Sequence, residues 1–210
     1  AVMLTDMADR INREITPIME ELADSRNKAT QRSSLPPVLP HRIEHTQMIR
    51  SEDIQRLAKL KVAACVQPHN MILDINMIDE SVGERGRWTY AYKEMLDAGI
   101  AVLFSSDAPV CDPSPLVGIH AAVTRQRRDG TPEGGWYPEQ RIRVEDAVRG
   151  YTTVPAAFYG QSDKMGTLTP GKRADMIILD RDIFEVDPME IVDARVEMTI
   201  FDGRIVYQSD

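Results

Sequence analysis

Between residues 41 and 124 the chain alternates short apolar runs with longer stretches in which apolar positions recur at helical spacing. His41-Arg-Ile-Glu-His45 predicts a short strand, Lys61 to Val66 one that is apolar from Val62 onward, and Ile100 to Phe104 a wholly apolar one. Helices are predicted between them. Ser51-Glu-Asp offers an N-cap and an acidic first turn, a segment from about Trp88 to Ala98 closes on Gly99, and Ser114-Pro115 opens a helix with proline in its first turn. The residues from Gln67 through Gly86 predict a loop. Ahead of this region, residues 1–4 resemble the end of a buried strand. Ile11, Ile15, Ile18, Met19 and Leu22 predict a helix from Thr5 with a kink at Pro17, and residues 24–40 predict a long loop. Strands apolar on both faces, alternating with helices, imply an α/β fold with a parallel sheet covered by helices.

The tail has a different rhythm. Gly166-Thr-Leu-Thr-Pro-Gly171 is rich in turn residues and precedes a strand from Ala174 to Leu179. Arg195 to Phe201, Asp202-Gly203 and Arg204 to Tyr207 predict a hairpin, because Asp-Gly supplies the positive φ angles that a tight turn requires. A second, β-rich element therefore begins after about residue 165, and no repeat of fixed period runs through the chain.

Composition narrows the function classes. The 210 residues are 42% apolar and 28% charged, an ordinary globular balance, and the net charge of −8 argues against a nucleic-acid partner. Arg125, Arg127 and Arg128 cluster beside Asp129 and are read as a solvated helix end. No run reaches the roughly 18 apolar residues of a membrane span. Cys65 lies in an apolar run and reads as buried, whereas Cys111 follows a turn and is expected nearer the surface; such sparse cysteine usage suits a reducing cytoplasm. The chain opens directly on Ala-Val-Met-Leu, so an upstream segment is expected.

Three segments place polar groups at the ends of predicted strands: His41 to His45, Val66-Gln67-Pro68-His69, and Ser105-Ser106-Asp107-Ala108-Pro109. In a barrel of alternating strands and helices the C-terminal strand ends build the active site. His45 and Asp107 would therefore converge there although they are distant in sequence. A divalent metal takes such ligands, and a neighbouring carboxylate can accept a proton from metal-activated water. His120, on a later helix, is read as structural. A cysteine-nucleophile alternative, Cys111 with His69, lacks any orienting motif.

Those three segments, with Met165-Gly-Thr-Leu-Thr-Pro-Gly-Lys-Arg-Ala-Asp175 and the closing hairpin Val196 to Tyr207, resemble the metal-dependent amidohydrolase superfamily. The branch is the one that includes N-substituted formamide deformylase. The resemblance implies the C-terminal half of a TIM (β/α)8 barrel over residues 1–165, about strands five to eight, followed by β-sandwich strands over residues 166–210. It implies that His45 is the strand-six metal ligand and that Asp107 is the strand-eight carboxylate, which binds metal and shuttles a proton. His69 would face substrate, and His41, Glu44 and Gln67 would surround and orient the ligands. A divalent metal, zinc first, would be the cofactor, and a small amide-type molecule the substrate. Val2 falls where a strand-five histidine is expected, and the family's His-x-His has no counterpart here. An N-terminal half of the enzyme is thus an expected partner, with homo-oligomers left open, and a metal-free partner subunit is the rival reading.

Overall fold

The structure, a computed structural model, describes residues 40–209. The strand expected at residues 1–4, the helix from Thr5 and all but the last residue of the 24–40 loop lie outside the described residues.

Strands β1 (Arg42–Glu44), β2 (Ala63–Val66) and β3 (Val102–Phe104) form a parallel sheet in that order, as the apolar runs predict. Helix α1 (Ser51–Leu60) crosses from β1 to β2. Its first turn carries Glu52 and Asp53, its buried face Ile54 and Leu57, and Lys61 closes it in the left-handed region at φ 54°. Arg50 rather than Ser51 occupies the cap position, and no side chain caps the end.

The connection from β2 to β3 departs from the predicted loop. Residues Pro68–Val82 form α2, 15 residues long and the longest helix described. Asn70, Asp74, Asn76 and Asp79 have weak helix propensity and suggest a loop. Met71, Ile72, Ile75 and Ile78 recur at helical spacing on one buried face, and their burial prevails. Pro68 starts the helix where its missing N–H costs nothing. The helix predicted from Trp88 is shorter: residues Gly83–Trp88 form a 3-10 segment, and α3 covers only Tyr92–Asp97 before Gly99 turns at φ 77°.

Helix α4 (Pro115–Thr124) follows β3, then α5 (Val144–Tyr151) and α6 (Thr153–Phe158). The strands divide two apolar groups between their faces. Ala64, Val66, Val102 and Phe104 join the main core with Ile54, Met71, Ile75 and Met95, while Ala63, Cys65 and Leu103 meet Phe158 and Val154 on the opposite face. Strands β4 (Met176–Leu179), β5 (Val196–Phe201) and β6 (Arg204–Gln208) form a separate antiparallel sheet. Its hairpin turns at Asp202 and Gly203 with φ 50° and 76°, as Asp-Gly predicts.

Arg125 corrects the reading of a solvated arginine cluster. It is 0% exposed, although Arg127 and Arg128 reach the surface partners Asn76 and Asp193. Its Nε donates to the Trp136 carbonyl at 2.5 Å and its Nη1 to the Tyr90 carbonyl at 2.8 Å. The Tyr92 and Trp136 rings lie 5.6 and 5.3 Å from the guanidinium carbon. Burial lowers its pKa to about 10, and Nη2 has no hydrogen-bond partner. One cation thus ties the end of α4 to the segment before α3 and to the loop carrying Trp136. Arg125→Ala is expected to destabilise the fold by about 2–4 kcal/mol in denaturant melts, because charged hydrogen bonds and ring contacts are lost together. Arg125→Lys should recover less than half of that, since an ammonium cannot span two carbonyls at guanidinium spacing.

Candidate functional site

A parallel sheet brings the C-terminal ends of its strands to one edge, and the register Glu44–Cys65 and Val66–Phe104 aligns those ends here. His45 follows β1, Gln67 follows β2, and Ser105 to Asp107 follow β3. The structure therefore gathers these residues at one mouth. Because β2 lies between β1 and β3, the backbones at His45 and Asp107 start roughly 10 Å apart, two strand spacings.

A chain of hydrogen bonds crosses the three ends. His45 Nδ1 lies 2.9 Å from Gln67 Oε1, and Gln67 Nε2 donates to Ser105 Oγ at 2.9 Å. Gln67 is only 4% exposed, so its amide needs both partners. With the amide so oriented, its oxygen can be satisfied only by Nδ1–H of His45. That leaves the His45 Nε2 lone pair free, and the ring itself is exposed.

His45 sits in a constrained turn. Thr46 N–H donates to the Glu44 carbonyl at 2.8 Å, and His45 and Thr46 have φ of 66° and 39°. Two successive non-glycine residues in that region cost on the order of 1–2 kcal/mol each. Asp107 also lies at positive φ, 60°, in a turn closed by Val110 N–H donating to its carbonyl at 2.7 Å.

His69 is the second residue of α2 and is half-buried. Its Nδ1 is buried without a hydrogen-bond partner. Burial lowers its pKa, and the charge and backbone of Asp112 oppose that shift without cancelling it. The loop after β3 folds onto this helix start, where Cys111 Sγ donates to Asn70 Oδ1 at 2.7 Å. Cys111 is 8% exposed rather than near the surface, and burial pushes its thiol pKa up. A nucleophilic thiol needs the opposite environment, so the cysteine-hydrolase alternative loses its premise.

Two other expected neighbours stand apart. The carbonyl of His41, at the start of β1, accepts from Ala63 N–H. It lies about four residues, roughly 13 Å, down the strand from His45, so the extended backbone separates them. Glu44 turns towards Arg42 and Cys65: burial raises its pKa, but hydrogen bonds from Cys65 and Arg42 outweigh that and lower it overall. Burial and the Glu44 contact push the Cys65 thiol up to about 11. Trp136 packs inward with Nε1 donating to Asp79 near the far end of α2, while Glu133, Gly134 and Pro138 around it stay exposed. His120 is buried, with Nδ1 3.2 Å from the Pro188 carbonyl and Nε2 without a partner among the described residues.

Ser105 and Asp74 were not singled out from the sequence. Ser105 completes the Gln67 chain, and Asp74 receives hydrogen bonds from Gln47 and Tyr90. The helical spacing of α2 was the available signal for Asp74, since it places that residue one turn beyond Asn70. A cavity of about 980 Å³ lies at the opposite strand ends, lined by Lys61, Val62, Ala101, Arg149 and Phe158. Its position separates it from His45 and Asp107.

The arrangement suits part of a metal centre. A metal-binding histidine characteristically donates its second ring N–H to an oxygen acceptor, as His45 does to Gln67. His45 and Asp107 would supply at most two ligands. Among the described residues no group of three His, Cys, Asp or Glu is placed to hold a metal ion.

N-substituted formamide deformylase of Arthrobacter pascens is 29% identical over 80% of this chain, which covers 31% of that protein. An uncharacterised metal-dependent hydrolase from Pyrococcus horikoshii OT3 superposes with a TM-score of 0.61 at 34% identity, over 71% of this chain and 30% of that one. Zinc-bound atrazine chlorohydrolase TrzN from Arthrobacter aurescens TC1 shares the fold, with a TM-score of 0.54 at 22% identity over 80% of this chain and 36% of its own. The chain thus spans about a third of the length of such relatives. The model of the amidohydrolase family matches residues 5–207, and the chain belongs to that family.

Proposed function

We propose that this chain forms the C-terminal part of a metal-dependent hydrolase that cleaves carbon–nitrogen bonds of small, non-peptide amides. Support comes first from the His45–Gln67 hydrogen bond, which holds a surface imidazole in the tautomer a metal ligand needs. On this reading β1 to β3 are barrel strands six to eight within residues 1–165, and β4 to β6, within residues 166–210, are the C-terminal part of a β-sandwich. The other ligands and the first barrel strands would come from an N-terminal half. Among the described residues no helix is long and apolar enough to cross a membrane.

A divalent metal, with zinc as the first candidate, would act as a Lewis acid, polarising the scissile carbonyl and lowering the pKa of a water. His45 would hold it through Nε2, with its ring fixed by Gln67. Asp107 would be a ligand and the proton carrier: its carboxylate accepts the water's proton and returns it to the departing nitrogen. His69, largely neutral and with one ring nitrogen unsatisfied, would meet a polar group of the substrate. The rival reading is a metal-free partner subunit, favoured by Val2 at the position where a strand-five metal histidine is expected.

Assembled with the sequence that supplies the remaining ligands, the enzyme should hydrolyse N-substituted formamides or related amides. His45→Ala and Asp107→Ala should each lower metal content, read by elemental analysis, and reduce kcat/KM at least a thousandfold, about 4 kcal/mol. Unchanged metal content and turnover in both variants would sink the assignment of His45 and Asp107, whereas an assembly with neither metal nor turnover would favour the partner subunit. Gln67→Met removes the acceptor without removing a ligand, so metal affinity should fall about 10- to 100-fold.

His69 gives a pH test on the folded chain alone. Its folded pKa lies below the unfolded value of 6.5, so the folded state resists protonation there. The resulting stability is complete above that unfolded value and is lost as the pH falls through it and then through the folded pKa. Melting temperature should therefore drop more between about pH 7.5 and about pH 5 in the wild type than in His69→Gln. Equal drops would show that His69 is not held neutral.

A further inference from the structure

We infer that Asp74 is a positioning residue, whose carboxylate clamps the turn that carries His45. The importance of that turn rests on the metal-site reading above, but the clamp itself is a matter of geometry. Asp74 lies on α2, one turn beyond Asn70, and is only partly exposed. Its Oδ2 accepts from Gln47 Nε2 at 2.7 Å and from the Tyr90 hydroxyl at 2.5 Å. Gln47 stands two residues beyond His45, and its carbonyl accepts from Tyr90 N–H at 2.8 Å. Gln47 is thus held twice, at its side chain by Asp74 and at its backbone by Tyr90, which is itself bound to Asp74.

The attachment continues along the chain. Ile49 N–H donates to the Trp88 carbonyl at 2.9 Å, and Met48 pairs with Thr89 in an isolated antiparallel bridge. The segment following His45 is therefore laid against residues 88–90, and Asp74 joins both segments to the long helix. Such attachment is needed because His45 and Thr46 both lie at positive φ, and Thr46 is β-branched. A turn with that backbone keeps its shape only where its surroundings over-determine it. Gln67 holds the ring of His45 from the end of β2, while Asp74 holds Gln47, two residues further on, from α2. With either support removed, the ring loses its defined direction.

A carboxylate is suited to this task. Two donors converge on one of its oxygens, and hydrogen bonds to a charged acceptor are about twice as strong as those between neutral groups. An amide in its place keeps an oxygen acceptor without the charge, and alanine keeps neither.

The test is nitrogen-15 NMR on the labelled 210-residue chain, comparing wild type with Asp74→Ala, Asp74→Asn and Tyr90→Phe. In Asp74→Ala the His45 and Thr46 amides and the His45 ring nitrogens should shift or broaden. Solvent exchange of the His45 Nδ1–H should accelerate by about tenfold as local opening increases. The amides of Val102–Phe104 should stay in place. Asp74→Asn should restore part of the wild-type pattern, and Tyr90→Phe, which removes one donor and keeps the ring packing, should show the same change at smaller amplitude. If Asp74→Ala does not fold, Tyr90→Phe and Asp74→Asn decide the matter. Unperturbed His45 resonances in every folded variant would overturn the clamp, whatever happens to the melting temperature. A perturbed His45 in a protein whose metal content ignores His45→Ala would keep the clamp and remove the metal-site reading.

Discussion

The buried carboxamide of Gln67 constrains the whole mouth of the sheet. An amide out of contact with water must find a donor for its oxygen and an acceptor for its nitrogen, or its burial costs several kcal/mol. Here His45 meets the oxygen and Ser105 meets the nitrogen. The three strands β1, β2 and β3 are thereby joined beyond the point where their backbone pairing stops. The same bond decides which nitrogen of His45 carries the proton, so a requirement of burial becomes a property of an exposed ring. Register makes this possible. Were β1 to slip by one residue against β2, its side chains would exchange faces and His45 would no longer lie opposite Gln67.

The faces of the sheet explain why chemistry gathers at this end and not at the large cavity. Ala64, Val66, Val102 and Phe104 are spent on the helical layer, while Ala63, Cys65 and Leu103 meet α6 through Phe158. Such strands leave little room for polar groups along their length, so those groups appear where pairing ends. At the opposite ends, Val62, Ala101 and Phe158 border the 980 Å³ space alongside Lys61 and Arg149. Volume alone would point to that end. The hydrogen-bonded polar chain and the orphaned His69 nitrogen point to the other.

Much of this was legible in the sequence where burial has a simple period. The two wholly apolar runs became β2 and β3, and Asp202-Gly203 became the hairpin turn. Their identities follow from local physics: an apolar run too short for a buried helix, and residues able to take positive φ. Helix α2 was obscured because Asn and Asp interrupt it, and a local propensity gives no account of what Met71 and Ile75 gain by burial. Arg125 was obscured for a related reason. Its neighbours Arg127 and Arg128 are at the surface, and only the fold brings the Tyr90 and Trp136 carbonyls to one guanidinium. Within the site, the strand-end positions of His45 and Asp107 followed from the alternation of elements. The distance of His41 from His45 follows equally simply from strand rise, whereas the roles of Ser105 and Asp74 depend on side chains meeting across elements.

The two proposed ligands are held in different ways, and the difference matches the work each would do. His45 is fixed at its ring by Gln67, while the segment just beyond it is bound to α2 and to residues 88–90. Asp107 is fixed only through its backbone turn: Val110 binds its carbonyl, and no hydrogen bond to its carboxylate is formed by another described residue. A ligand that stays in place throughout a reaction gains from a ring direction set in advance. A group that takes a proton from water and delivers it to nitrogen must exchange partners. On the proposed reading, a held imidazole and a carboxylate with no partner among the described residues would divide the work between them, as two equally anchored ligands would not. It also separates the two in their sensitivity to distant change: a disturbance in α2 would reach His45 through Gln47, whereas Asp107 would feel it only through the loop after β3.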